Sequence, residues 1–138
     1  NNIIPINKGL WSESTTLKFR SSNGENSSLF FTDNQSCNLT EVDVVSLDDE
    51  LRALNIGKLD FIKMDIEGAE IEAIRGAKEI LGKNEVNLAI ASYHIIDGEP
   101  THIKLRKLLL NMDYYTEIGF PAHLTVYGRR HNELAIKH

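Results

Sequence analysis

Residues 63–70 hold the densest group of side chains that can do chemistry. They read Lys-Met-Asp-Ile-Glu-Gly-Ala-Glu, so the carboxylates of Asp65, Glu67 and Glu70 lie within eight residues. A carboxylate can take a proton from a hydroxyl, and paired carboxylates suit hard cations such as Mg²⁺. We expect Asp65 to accept a proton or to bind a divalent cation, with Glu67 sharing the metal. A second interpretation stays open, in which Asp65 caps a helix while Glu67 and Glu70 are surface charges of its first turn.

His94 is a second candidate, because an imidazole can act as a base near neutral pH. It follows the apolar residues 86–91, after Ser92 and Tyr93. If that run and residues 59–66 form neighbouring strands, His94 lies beside Asp65. The alternative is an ordinary polar residue in a surface loop. For Lys63, within the earlier run, we expect an interior ion pair or a side chain that snorkels to solvent.

The elements that must position these residues follow from hydrophobic periodicity. Residues 59–66 are mostly apolar and are followed by Gly68, which predicts a buried parallel strand. Apolar residues three and four apart predict one helix over residues 69–81, closed by Gly82 as its cap. Residues 86–91 predict the next strand. Ligands bind beyond the carboxyl ends of such strands, so we expect Asp65 at the end of a central strand, facing a crevice shared with His94.

The remaining segments complete an alternation of strands and helices. Ser46 with an acid three residues later predicts the start of a short helix that ends by Gly57. Pro100 fits the first turn of a later helix, and residues 21–38 read as an irregular surface excursion. Strands are predicted over residues 15–19, 42–45, 114–118 and 123–127. This order predicts an α/β fold, a mainly parallel Rossmann-like sheet with helices on its faces and a C-terminal antiparallel hairpin.

The composition is that of one ordinary globular domain over residues 1–138, with 41% hydrophobic and 25% charged residues. A net charge of -5 repels phosphate backbones and anionic lipid, so we expect neither nucleic acid nor membrane as a partner. No apolar run approaches the roughly 20 residues that span a bilayer. The single Cys37 cannot form a disulfide within the chain, which favours a reducing, cytoplasmic location.

A longer block around Asp65 resembles a known family. Residues 60–70, followed by Ile-Arg-Gly-Ala at 74–77, are similar to the signature block of the FkbM-type methyltransferases, and residues 44–49 are similar to the block before it, with Ser46 where Thr usually stands. The resemblance extends over about residues 1–128. It implies the class I S-adenosylmethionine-dependent fold and O-methylation of a small-molecule hydroxyl acceptor, such as a carbohydrate. Asp65 and His94 would then be catalytic, and Asp65 and Glu67 would contact the cofactor.

One hallmark of that fold is missing from the sequence. Class I methyltransferases begin with a strand and a Gly-rich turn that holds the cofactor, whereas the nine glycines of this chain are scattered, with no two separated by a single residue. Residues 1–11 instead resemble the third strand of the family. We therefore expect the C-terminal portion of such a domain, without its first strands and inactive by itself, whose exposed sheet edges would favour oligomers. The alternatives are a non-catalytic α/β binding or scaffolding module and a metal-dependent hydrolase that uses Asp65 and Glu67.

Overall fold

The computed structural model describes residues 3–20 and 39–130 of the chain. The predicted irregular segment at residues 21–38, with Cys37, lies outside the described residues. No helix in the described part is long and apolar enough to cross a membrane.

The described residues form short strands and helices in the predicted alternation. The helices are α1 (Leu47–Ala53), α2 (Glu70–Arg75), α3 (Lys78–Lys83) and α4 (Thr101–Leu110). The strands are β1 (Gly9–Leu10), β2 (Thr15–Arg20), β3 (Leu39–Val45), β4 (Phe61–Met64), β5 (Asn87–Ala91), β6 (Ile95–Ile96), β7 (Glu99–Pro100), β8 (Tyr114–Gly119) and β9 (Thr125–Arg130).

The strands form mixed sheets, so the prediction of a mainly parallel sheet is wrong. One sheet has the order β1-β3-β2, a second has the order β4-β5-β9-β8, and β6 pairs with β7. Only β1 with β3 and β4 with β5 are parallel among the described pairs. The C-terminal hairpin is confirmed as β8 and β9, which a short turn forces to be antiparallel. Its second strand also inserts beside β5, and this adds another antiparallel pair.

Strand β4 differs from its prediction in two respects. It lies at the edge of the four-stranded sheet that the described residues form, not at its centre. Its side chains alternate, with Ile62 and Met64 buried and Phe61 and Lys63 exposed. Phe61 keeps 55% of its surface exposed. Lys63 therefore points to solvent, and no carboxylate among the described residues forms an ion pair with it.

The core lies between the buried face of this sheet and the helices. Its fully buried side chains include Leu88 and Ile90 of β5, Val126 of β9 and Leu105 of α4. At about 25 cal/mol per Å² of buried apolar surface, packing of this face is the main force that holds β4 and β5 in register. The packed core therefore fixes the position of β4, the strand that Asp65 follows.

The single helix predicted for residues 69–81 is two helices. Gly76 ends α2, and Gly82 lies inside α3 instead of capping it. A Cβ atom at Gly76 would lie 2.1 Å from the backbone oxygen of Trp11, so the chain passes there at a distance that only glycine permits. The side chain of Asp48 caps the N-terminus of α3. Its carboxylate accepts hydrogen bonds from the backbone N–H groups of Glu79 and Ile80 at 2.8 and 2.9 Å.

The beginnings of the other helices agree more closely with the sequence. The Ser46 side chain accepts the backbone N–H of Asp49 at 3.1 Å, which confirms the predicted cap of α1. Pro100 immediately precedes α4 and does not occupy its first turn. Its fixed φ of -60° suits an extended residue before a helix.

Candidate functional site

Asp65, Glu67 and His94 come together beyond the ends of β4 and β5. Met64, the last residue of β4, pairs with Ile90 of the parallel strand β5, so the residues after both strands leave the sheet at the same edge. One carboxylate oxygen each from Asp65 and Glu67 and one ring nitrogen of His94 lie within 4.8 Å of one another. The predicted proximity of Asp65 and His94 is confirmed, while their chemical roles stay predictions.

A left-handed turn places Glu67 beside Asp65. Glu67 has a φ of 56° and Gly68 a φ of 100°. Residues other than glycine rarely adopt a positive φ. A non-glycine residue held in this conformation carries a conformational cost that the surrounding structure must offset. The turn keeps the two exposed carboxylates side by side, although like charges repel.

Glu70 supports the turn from inside the protein. Its side chain is fully buried, and Oε1 accepts the backbone N–H of Ile66 at 2.9 Å. The interpretation of Glu70 as a surface charge is therefore wrong. Its other oxygen, Oε2, has no hydrogen-bond partner within residues 3–20 and 39–130. The helix-cap interpretation of Asp65 is also wrong, since α2 begins after Ala69 without any side-chain cap.

Tyr93 is a site residue that the sequence reasoning missed. Its hydroxyl donates to Oδ1 of Asp65 at 3.3 Å, and its ring lies 4.1 Å from that of His94 between centroids. Desolvation raises the pKa of Tyr93, and the negative charges of Asp65 and Glu67 raise it further. The phenol is thus protonated at neutral pH and serves as a hydrogen-bond donor. The one signal in the sequence was its place between the end of β5 and His94.

Backbone hydrogen bonds hold the segment that carries Tyr93 and His94. The carbonyl of His94 accepts the N–H of Thr101 at 2.8 Å, and the N–H of Ser92 donates to the carbonyl of Leu124 at 2.8 Å. The start of α4 and the residue just before β9 therefore hold this segment from two sides. Nε2 of His94 is shielded from solvent and has no hydrogen-bond partner in the described part of the chain.

The surroundings of Asp65, Glu67 and His94 are negatively charged. No lysine or arginine among the described residues forms an ion pair with Asp65 or Glu67. Buried Glu70 adds to the field, and its charge contributes to the raised pKa of Tyr93. Such a group of carboxylates can accept a proton and attracts cations.

Comparison with known proteins points to one family. The family model described as "Methyltransferase FkbM domain" matches residues 2–115. The chain is also similar to a solved structure, the methyltransferase FkbM from Methylobacillus flagellatus KT, with 22% sequence identity and a TM-score of 0.57. That similarity covers 88% of this chain and 27% of the other, so it shows a shared fold over about a quarter of the longer protein. No protein of curated function matches the chain.

Proposed function

The chain belongs to the FkbM methyltransferase family, and from this premise we propose that the protein containing it transfers a methyl group from S-adenosylmethionine to a hydroxyl oxygen. The acceptor that we propose is a sugar or another small metabolite, as the family resemblance implies. One observation in the structure supports the proposal most directly. The Asp65 carboxylate, free of ion pairs with the described residues, stands beside a tyrosine and a histidine at the carboxyl end of a strand.

The negative charge of Asp65 and Glu67 suits the proposed cofactor. S-adenosylmethionine supplies a methyl group activated by a positively charged sulfonium. Asp65 and Glu67 offer two carboxylates without an ion pair among the described residues, and these would attract that positive charge. The site is open to solvent at both carboxylates, so a ligand can reach it.

Asp65 is the residue that we propose takes the proton of the acceptor hydroxyl. The Tyr93 hydroxyl donates to Oδ1 of Asp65, which orients the carboxylate and leaves the other oxygen to accept a proton. His94, packed against the Tyr93 ring, stands close enough to assist as a second base. Holding the hydroxyl and the base together in one geometry is the main catalytic contribution of the protein in such a displacement.

The substitution Asp65→Asn tests this proposal. It removes the base and keeps the shape, so we expect turnover to fall about a hundred- to ten-thousand-fold. The melting temperature should change little, since Asp65 is exposed and is not a helix cap. The measurement is release of S-adenosylhomocysteine by the complete protein that contains the chain, with one sugar acceptor, with and without the substitution.

Asp60→Asn is the matched control for this experiment. Asp60 lies just before β4, at the opposite end of the strand from Asp65, and within the described residues its carboxylate forms one exposed ion pair, with Lys58. The chemical change is identical, so turnover should stay at the unmodified level. Unchanged turnover in Asp65→Asn together with a lowered melting temperature would show that Asp65 has a structural role.

We also propose that the 138-residue chain by itself holds the cofactor weakly. In the fold that it resembles, backbone N–H groups of a Gly-rich turn bind the cofactor, and no two glycines of this chain are separated by one residue. Losing several hydrogen bonds of about 1 kcal/mol each weakens binding by orders of magnitude. Isothermal titration with S-adenosylmethionine measures this, and micromolar affinity would contradict it.

A further inference from the structure

The cluster of Asp65, Glu67 and His94 has the composition and the spacing of a metal site. We propose that these three side chains bind one divalent cation of the Mg²⁺ and Mn²⁺ class. Their ligand atoms lie within 4.8 Å of one another. In octahedral coordination with bonds of about 2.1 Å, ligand atoms lie about 3 to 4.2 Å apart. Small side-chain adjustments of the two exposed carboxylates are therefore enough to close the site around an ion.

The kinds of ligand favour this class of cation. Two carboxylates and one imidazole form an oxygen-rich set, which suits Mg²⁺ and Mn²⁺ better than a soft metal that prefers sulfur. Three protein ligands leave about three octahedral positions for water or for oxygens of a bound molecule. The site is thus open on the side where Asp65 and Glu67 face solvent.

Two further observations are consistent with a bound cation. Nε2 of His94 is shielded from solvent and has no hydrogen-bond partner in the described part of the chain, an arrangement that is uncommon for buried polar atoms. The left-handed turn at Glu67 and Gly68 holds two carboxylates side by side, with no lysine or arginine ion-paired to either among the described residues. A bound cation would relieve the repulsion between the two carboxylates and would be held by a ring nitrogen of the imidazole.

The binding of the cation does not depend on methyl transfer, although its use in catalysis rests on the proposed function. With the ion bound, Asp65 would serve as its ligand, and a hydroxyl at an open position of the metal would lose its proton more easily. Tyr93, through its hydrogen bond to Oδ1 of Asp65, would orient the ligating carboxylate.

Titration of the chain with Mn²⁺ alone tests the proposal, with free Mn²⁺ followed by electron paramagnetic resonance. We expect one saturable site. Since loss of an outer-shell partner already weakens metal binding about 10- to 100-fold, Asp65→Asn, Glu67→Gln and His94→Gln should each weaken it by at least about tenfold. Asp60→Asn, which removes the same charge from the other end of β4, should leave the affinity unchanged. An equal loss in Asp60→Asn would mean that Mn²⁺ responds only to net charge and would overturn the proposal.

A second measurement uses the unmodified chain, so it does not depend on how the variants fold. Bound Mn²⁺ broadens nuclear magnetic resonance signals of nearby atoms, and the amides of Glu67, Gly68 and His94 should disappear first. The acidic residues Asp48 and Asp49 provide an internal comparison, because they lie on α1 outside the cluster. Equal or earlier broadening there, or no saturable binding, would overturn the metal site. Full methyl transfer after treatment with a chelator would exclude a catalytic role for the cation while leaving the proposed methyl transfer intact.

Discussion

The close approach of Gly76 to Trp11 predicts a large loss of stability in Gly76→Ala. The new Cβ would lie 2.1 Å from the Trp11 carbonyl oxygen, so the two segments must separate by about 1 Å. Gly76 has a φ of -80° and a ψ of 2°, a conformation that alanine adopts without strain. Backbone conformation therefore contributes nothing to the expected loss.

The magnitude follows from two contributions. Overpacking of this kind costs about 1–3 kcal/mol. The same displacement weakens the hydrogen bond from the N–H of Asp48 to the carbonyl of Gly76, which is 2.9 Å long and contributes about 1 kcal/mol. We expect a total of about 2–4 kcal/mol, a large part of the 5–15 kcal/mol that holds a typical domain together.

Urea unfolding followed by circular dichroism measures this loss, and Gly82→Ala is the matched control. Apart from its chain neighbours and the backbone of α3 itself, no described atom lies within 4 Å of a Cβ atom built at Gly82, so alanine should stabilise the protein by about 0.5–1 kcal/mol. The two glycine substitutions thus have opposite expected signs. Fluorescence of Trp11, the single tryptophan, should shift only in Gly76→Ala. A neutral Gly76→Ala would refute the close approach and with it the explanation of the helix break.

Three further outcomes are expected from local contacts. Ser46→Ala should lower the free energy of unfolding by about 1 kcal/mol, because its side chain caps α1. Glu70→Ala should cost about 2–4 kcal/mol, since it opens a cavity and removes the acceptor of the Ile66 N–H, whereas Glu70→Gln keeps an oxygen there and should cost less. The hydrogen bond from Ser14 is the largest cause that lowers the pKa of Asp49, so the folded state binds this proton less well than the unfolded state. The stability that Asp49 contributes is then present above its ordinary pKa of 3.8 and is lost as the pH falls further. Urea unfolding midpoints measured across this pH range should fall less in Ser14→Ala than in the unmodified protein.

The sequence by itself determined most of the features that depend on neighbouring residues. Hydrophobic periodicity located β4, β5 and the C-terminal hairpin, because alternation and apolar runs reflect the local geometry of a strand. The cap at Ser46 was readable for the same reason, since its partner Asp49 is three residues away. The acids Asp65, Glu67 and Glu70 indicated the junction between β4 and the next helix. The family resemblance depended on the same block of residues.

Tertiary structure decided the features that depend on residues distant in the chain. The helix predicted over residues 69–81 breaks because Trp11 approaches Gly76 and Asp48 caps α3, and no pattern within that segment records either contact. Periodicity likewise could not show that β9 inserts beside β5, since a strand carries the same alternation whatever partner it pairs with. The role of Tyr93 in the site also depends on a contact between residues distant in the sequence. Only the parallel pairing of β4 with β5 brings its hydroxyl to Asp65, and that pairing is set by burial of one sheet face, a property of the whole fold.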